Sequence, residues 1–501
     1  MTLPVRRVVV LGGGSAGFLA AITLKMRIPQ LEVTVLRSKE IGIIGVGEGT
    51  TNYVPEHLHG YLGIPVGDVF ADAMPLWKLG VRFLWGPRPV FHYPFTTQVD
   101  RPEDGLSQRV GYYCDEDFAF ADRTAALMAA GRAFSRLDNG APRIERNFAY
   151  HFENERFVAF LEKQAARVGV IVREATVRSV DRDDSGISAL HLESGAVVTA
   201  DLYVDCSGFR SALLGEALGE PFESFGSTLF CDRAIVGGWT RGGEPVLPYT
   251  TAETMNAGWC WQIEHEHRIN RGYVYSSAFV GDDEAEREVR AHCPKVVDTR
   301  VVRFTSGSRR RAWVGNVVGI GNAAGFVEPL EATALFVICA ASQALTASLL
   351  DSNGQPDAVL ASQFNAYCAR LWGAIRNFLA VHYRFNTRVD SPFWRACRAD
   401  VDLSGAAPIV DYYRAHGPSS LWADTLIDPL DPFRLDGYFT MLIGQQVPYE
   451  RRWTAPAAEI ARWRQVRATY ADQARTGFTI DEALRLVRSP QGQWSPGFFR
   501  V

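Results

Sequence analysis

Val8-Val9-Val10-Leu11-Gly12-Gly13-Gly14-Ser15-Ala16-Gly17-Phe18-Leu19-Ala20-Ala21-Ile22 opens the chain with a strand, a glycine turn and a helix. Four consecutive apolar residues read as a strand buried on both faces, and the small and apolar residues around Gly17 read as the start of a helix. In that setting the spacing G-x-G-x-x-G has a physical meaning. Gly12 permits a tight turn, Gly14 lets the backbone approach a pyrophosphate, and Gly17 lets the helix pack on the strand. Ser15 and Ala16 then place the free N–H groups of the helix N-terminus beside the phosphates. The element predicts a dinucleotide site.

The next strand, Glu32-Val33-Thr34-Val35-Leu36, ends in Arg37, where such folds usually place an acid on the adenosine ribose. Arg37 suits either a 2′-phosphate or a position over the adenine of FAD. A second glycine-rich run, Ile41 to Thr51 with Gly47 and Glu48 within it, gives the backbone room beside a large flat ligand and favours FAD. After a strand at Val170-Ile171-Val172, a meander turns at Asp184-Ser185-Gly186 and Glu193-Ser194-Gly195 and ends in Leu202-Tyr203-Val204-Asp205-Cys206-Ser207-Gly208. Val317-Val318-Gly319-Ile320-Gly321, running on to Phe326, repeats strand into glycine turn. The expected fold is α/β. It has a Rossmann-type FAD-binding core with an inserted substrate-side sheet over residues 1–350, and a helical module over 351–501 that covers a substrate cavity.

With 501 residues, 47% of them hydrophobic and 22% charged, the chain can bury a large core. A net charge of -4 over that length argues against nucleic acid or an anionic membrane as the main partner and for small-molecule chemistry. No apolar run is expected to span a bilayer and no signal peptide is read at the start, so the expected location is the cytoplasm. The 8 cysteines show no C-x-x-C spacing and are expected as reduced core thiols. His265-Glu266-His267 has the spacing of a metal pair without a third ligand nearby, and no metal site is expected.

Lys78 lies in Met74-Pro75-Leu76-Trp77-Lys78-Leu79-Gly80-Val81, where a helix is expected to give way to a strand near Gly80. Positive charge is otherwise carried almost wholly by arginine; Lys25, Lys39, Lys163 and Lys295 are the other lysines. A compact amine is not interchangeable with a guanidinium, although a lysine at a helix end also snorkels to water with no chemical task. Gly258-Trp259-Cys260-Trp261-Gln262-Ile263 alternates as a strand with both tryptophans on one face, as a plain aromatic core pair also does. Val327-Glu328-Pro329-Leu330-Glu331-Ala332-Thr333-Ala334 leads into an apolar helix whose N-terminus favours an anion, unless the glutamates only cap it. His57 and His59 are expected as surface or capping groups, residues 148–169 as one amphipathic helix, and 358–387 and 456–474 as further helices.

Taken together, Gly12 to Gly17, Gly45-Val46-Gly47-Glu48, Lys78, Trp259-x-Trp261-x-Ile263 and Glu328-Pro329-Leu330-Glu331-Ala332-Thr333 resemble the flavin-dependent halogenases of the tryptophan-halogenase family. The likeness covers most of the chain and is weakest after about residue 390. It implies an FADH2-dependent enzyme supplied by a separate flavin reductase. Reduced FAD and oxygen would oxidise a chloride or bromide held near Thr333 and Ala334 to hypohalous acid. That oxidant would travel to Lys78, which hydrogen-bonds it or forms a haloamine, while Glu331 activates the electrophile or takes the proton leaving the arene. Trp259 and Trp261 would line the wall between flavin and substrate. Gly12, Gly14, Ser15, Ala16, Gly17, Arg37, Gly47, Glu48, Gly321 and Phe326 are the implied cofactor contacts.

The chain departs from the family in several places. Glu264 stands where the tryptophan motif has proline, and Ala332-Thr333-Ala334 replaces Ser-Thr-Gly, so residue 334 lacks glycine's freedom at positive φ. Tryptophan-specific members carry a His-x-Phe pair, whereas this chain reads Phe91-His92-Tyr93-Pro94-Phe95, with Tyr93 in the histidine's place relative to Phe95. The C-terminal third gives no match to the family's clamp for an amino-acid head group, and burying an unclamped zwitterion is costly. The implied substrate is an electron-rich aromatic of the indole type, accepted better than free tryptophan, with His92, Tyr93 and Phe95 beside it. Two other readings share the flavin elements: an FAD-dependent aromatic hydroxylase, which needs no lysine relay, and a flavin-binding protein without chemistry of its own.

Overall fold

Strand Arg7–Leu11 lies inside a six-stranded sheet ordered Ile171–Glu174, Glu32–Arg37, Arg7–Leu11, Leu202–Asp205, Val317–Gly319 and Trp313–Val314. The first five are parallel and the last adds antiparallel at the edge. The structure, a computed structural model, describes residues 4–38, 42, 47–114 and 118–488. Lys39, Ile41, Gly45 and Val46, and with them part of the second glycine-rich run, lie outside the described residues.

A parallel sheet needs cover on both faces, and the run of valines supplies an apolar residue to each in turn. Val8, Val10, Val33, Val35 and Val204 pack under helix Ser15–Arg27, which also meets helices Asn154–Arg167 and Ala334–Asp351. Val9, Leu36, Tyr203 and Val317 face the other way, against Ile187 and Leu190 of the antiparallel meander Val177–Asp183, Gly186–Leu192 and Val197–Val198.

A second sheet of seven strands is ordered Asp298–Arg303, Arg233–Thr240, Arg268–Tyr275, Gly258–Glu264, Thr250–Met255, Gly80–Leu84 and Phe91–Pro94. Its pairs are antiparallel except Thr250–Met255 with Gly80–Leu84. A three-stranded sheet of Glu48–Gly49, Ala149–Phe152 and Leu76–Lys78 places the end of the second glycine run and Lys78 on either side of one strand. Phe378 and Tyr383 of the long helix Ala358–Phe385, and Tyr438 and Leu442 of helix Arg434–Gly444, share one core with Val81, Phe83, Phe91 and Trp259 of the seven-stranded sheet. The C-terminal helices therefore pack directly on the strands that carry the candidate site.

Four expectations need correction. Residues 149–152 form a strand, and the helix begins only at Asn154, because sheet pairing on both sides buries all four residues and overrides the helical pattern. The helix before Lys78 ends at Asp72; Met74 at φ 48° and Pro75 break it, so Lys78 ends a strand and is wholly buried. His57 and His59 are buried, the first bonded to Thr23 and Gln343 and the second to the Ile64 carbonyl and the Tyr150 hydroxyl. Helix Ala334–Asp351 is long and apolar enough by composition to cross a membrane, but its apolar residues are largely buried in the core described above. The cysteines are free, and all but Cys293 are buried.

Candidate active site

A cavity of about 890 Å³ opens at the C-terminal ends of the parallel strands, where open α/β sheets bind ligands. Gly12, Gly14, Ser15 and Ala16 line one part of it, with Arg37, Gly47, Glu48 and Phe326; Thr250, Trp261, Ala332 and Ala334 line it towards the seven-stranded sheet. The glycines have distinct tasks. Gly12 has φ +128°, and a Cβ there would lie 2.2 Å from the Cys206 carbonyl oxygen. A Cβ on Gly17 would lie 1.8 Å from the Gly12 oxygen, so this glycine serves helix packing, whereas one on Gly14 would meet nothing within 4 Å and would project into open space. That open cradle at a helix N-terminus fits a pyrophosphate, and the volume of the cavity is enough for a dinucleotide such as FAD.

Arg37 pairs with Glu162 at 2.7 Å while lining the cavity. Burial pushes the Glu48 carboxyl up to about 7, against the lowering effect of the Asn154 amide that donates to it at 3.3 Å. Gly321 and Thr333 are not among the cavity-lining residues. Gly321 supports Ala16, 3.0 Å from where a Cβ would sit, and Thr333 is the buried residue just before helix Ala334–Asp351. Positive φ falls on Ala332 at 54° and not on Ala334, which simply begins the helix. The expected conformational handicap of alanine at 334 is therefore absent, and the strained residue is Ala332. Glu264 continues its strand and is paired with Arg241 and Gln262.

Gly49 is the thin wall of the cavity. A methyl group on it would lie 3.4 Å from Lys78 Nζ, from Ala332 Cβ and from Thr250 Oγ1. Behind it, Lys78 Nζ donates to the Thr50 carbonyl at 2.9 Å and lies 5.3 Å from the centre of the Phe95 ring. Burial pushes the Lys78 ammonium down to about 7, opposed by the nearby charge of Glu331. Near neutral pH a substantial fraction of this amine is uncharged and carries a free lone pair.

Glu331 closes the short 3-10 turn Pro329–Glu331 and is 3% exposed. Its Oε1 lies 2.7 Å from His382 Nε2 of helix Ala358–Phe385. The next residue of that helix, Tyr383, donates from its hydroxyl to Glu328, and the same Glu328 oxygen accepts the Trp259 indole N–H at 3.0 Å. Burial pushes the Glu328 carboxyl up to about 7. Neither glutamate is a solvated helix cap. Trp259 and Trp261 do share a face, with ring centres 6.0 Å apart, but only Trp261 reaches the cavity; Trp259 is the ring behind it.

Strand alternation divides the aromatic segment. Tyr93 lies 5.8 Å from Phe378, and burial, with the nearby charges of Glu331, Asp436 and Asp431, raises its phenol well above 10. His92 points the other way, towards Tyr249 and Arg82, where burial lowers its imidazole to about 3. The structure thus brings together Lys78, Glu331, Tyr93 and Phe95, and separates His92 from them. His382, Tyr383 and Gly49 were not singled out from sequence. Histidine and tyrosine near the end of a long apolar helix read as ordinary core residues, and Gly49 was one glycine among several.

Residues 7–459 match the tryptophan halogenase family. The tryptophan 6-halogenase ThaL of Streptomyces albogriseolus is 34% identical over 449 residues, 83% of each chain. The tryptophan 7-halogenase RebH of Lentzea aerocolonigenes is 32% identical over 444 residues, again 83% of each. Among solved structures, MibH, a "lathipeptide tryptophan 5-halogenase", matches with a TM-score of 0.88 at 39% identity, covering 98% of this chain and 97% of that one. On these matches the chain belongs to the tryptophan halogenase family of flavin-dependent halogenases.

Proposed function

We propose that the protein halogenates an electron-rich aromatic of the indole type, using reduced FAD from a separate flavin reductase and chloride or bromide from solution. Bound reduced FAD would supply, with oxygen, the oxidising power that turns halide into hypohalous acid. The observation that carries this reading is Lys78: an amine 0% exposed, pushed to about 7, one glycine away from the flavin cavity and beside a carboxylate. A direct hydroxylase has no use for such a group.

In this reading residues 1–350 hold flavin and halide and 351–501 cover the substrate. Gly12, Gly14, Ser15, Ala16, Arg37, Gly47, Glu48 and Phe326 hold the cofactor, with Gly17 and Gly321 packing beneath it. Thr333 and Ala334, at the start of a long helix, hold the halide with backbone N–H groups. Trp261, backed by Trp259, bars an organic molecule from the flavin. Lys78 holds the oxidant, Glu331 moves the proton, and Tyr93 and Phe95 stack on the arene. ThaL and RebH are named for tryptophan and MibH for a lathipeptide. These names support an indole ring as the reacting group, within a molecule that need not be a free amino acid.

The test is Lys78→Ala, assayed with reduced FAD, oxygen, bromide and indole. Loss of bromoindole with flavin binding and hydrogen peroxide release retained is expected. Near-normal bromination by the variant overturns the role of Lys78.

A further inference from the structure

The hydrogen bonds of His382 fix how many protons it shares with Glu331. Its Nδ1 lies 2.8 Å from the Phe378 carbonyl, which only accepts, so Nδ1 carries a hydrogen. Its Nε2 lies 2.7 Å from Glu331 Oε1. That contact holds a hydrogen either on Nε2, facing a carboxylate, or on Oε1, facing a neutral imidazole. In both forms the pair carries one mobile proton and no net charge, the least costly state for side chains that are 0% and 3% exposed.

The groups around the pair come from several elements. Lys78, at the end of strand Leu76–Lys78, and Tyr93 of strand Phe91–Pro94 feel the charge of Glu331. Asp431 and Asp436 act on Tyr93, and Glu328 is engaged by Trp259 and Tyr383. The rings of Phe83, Trp85 and Phe378 pack around His382, with centres 5.4, 6.4 and 4.7 Å away.

We infer that His382 is a positioning residue that fixes Glu331 and keeps one proton in play for it, an inference that rests on the function proposed above. One proton is enough for the whole exchange. As the ring carbon bonds to the halogen and the O–X bond breaks, the Glu331 carboxyl gives its proton to the departing oxygen, which leaves as water. The carboxylate then takes the proton from the same ring carbon, and the C–H electron pair returns to the ring. Arene and hypohalous acid become haloarene and water, and the pair again holds one proton without exchange with solvent. His382 serves by holding the proton when Glu331 does not and by anchoring the carboxyl through its 2.7 Å contact.

Two experiments test this. In protein labelled with ¹⁵N-histidine and free of added flavin, the ring shifts at the assay pH should show Nδ1 protonated and Nε2 sharing a proton, with Glu331→Gln moving Nε2 to the unprotonated position. An unprotonated Nδ1, or an Nε2 indifferent to Glu331→Gln, overturns the inference. In turnover, His382→Gln keeps an N–H donor but cannot pass a proton. It should lower kcat for indole bromination about tenfold or more with KM within about twofold. Its rate relative to wild type should also fall as pH rises, because Glu331 must then draw each proton from solution. Trapping of hypobromous acid by a diffusible diketone should be unchanged, and the double variant with Glu331→Gln should be no worse than Glu331→Gln alone. A wild-type pH profile in His382→Gln, or additive losses in the double variant, overturns the inference. If the wild type yields no bromoindole in the same assay, the proposed function fails instead, and the ¹⁵N result still reports on the pair.

Discussion

Replacing Lys78 with methionine should make the protein more stable while removing its halogenating activity. The folded protein holds the Lys78 ammonium at about 7 where an ordinary lysine titrates at 10.5. Between those pH values the unfolded chain binds a proton that the folded chain lacks. Stability from this group therefore falls as pH drops from about 10.5 to about 7, and levels off below, where both states are protonated. At pH 7 the cost comes to about 4 kcal/mol as an upper figure, from about 1.4 kcal/mol per pKa unit. Methionine has a similar length and no charge, so it removes that cost. It also leaves the Thr50 carbonyl without the donor now 2.9 Å away, a loss of about 1 to 2 kcal/mol. The net gain at pH 7 is about 2 to 3 kcal/mol, which for 501 residues raises Tm by roughly 2 to 3 °C. Near pH 10 the charge cost is almost gone and only the lost hydrogen bond remains, so the variant should then melt no higher than wild type. Thermal unfolding of both proteins at pH 7 and near pH 10 measures this. A variant that melts lower at pH 7, or a difference that does not shrink as pH rises, refutes the reasoning.

Glu331→Gln should cut indole halogenation by roughly 10² or more, the usual scale of lost acid–base catalysis, while hypohalous acid is still trapped in solution; a change within about twofold would reduce Glu331 to a structural turn residue. Ala332→Gly should stabilise the protein by about 1 kcal/mol, because Ala332 sits at φ 54° and ψ 39° where glycine is unstrained; denaturant unfolding that shows a loss contradicts this. Indole should show a higher kcat/KM than free tryptophan in steady-state comparison, and the reverse would reveal a head-group clamp in the C-terminal third.

The flavin unit was legible because its signals are local. The run Val8–Leu11 and the glycines at 12, 14 and 17 carry their conformational demands within a few residues, and the structure assigns each glycine a separate steric reason. Lys78 was visible by composition and by family likeness, but its burial was not. A lysine before a glycine reads as a helix end until Met74 and Pro75 are seen to stop the helix and Ala149–Phe152 to pair with Leu76–Lys78. The helix expected at residues 148–152 failed for the same reason, since sheet pairing across some 70 positions outweighs local periodicity. His382 and Tyr383 stand more than 50 positions from their glutamate partners, and nothing within their own helix marks them. Strand alternation within 91–95 is itself local, and it sets His92 apart from Tyr93 and Phe95.

The most direct test of the central claim is product identity from the wild-type protein given reduced FAD, oxygen, bromide and indole. Mass spectrometry should find bromoindole, formed only when bromide is present. Hydroxyindole formed without regard to bromide, or hydrogen peroxide with unchanged indole, would contradict the account.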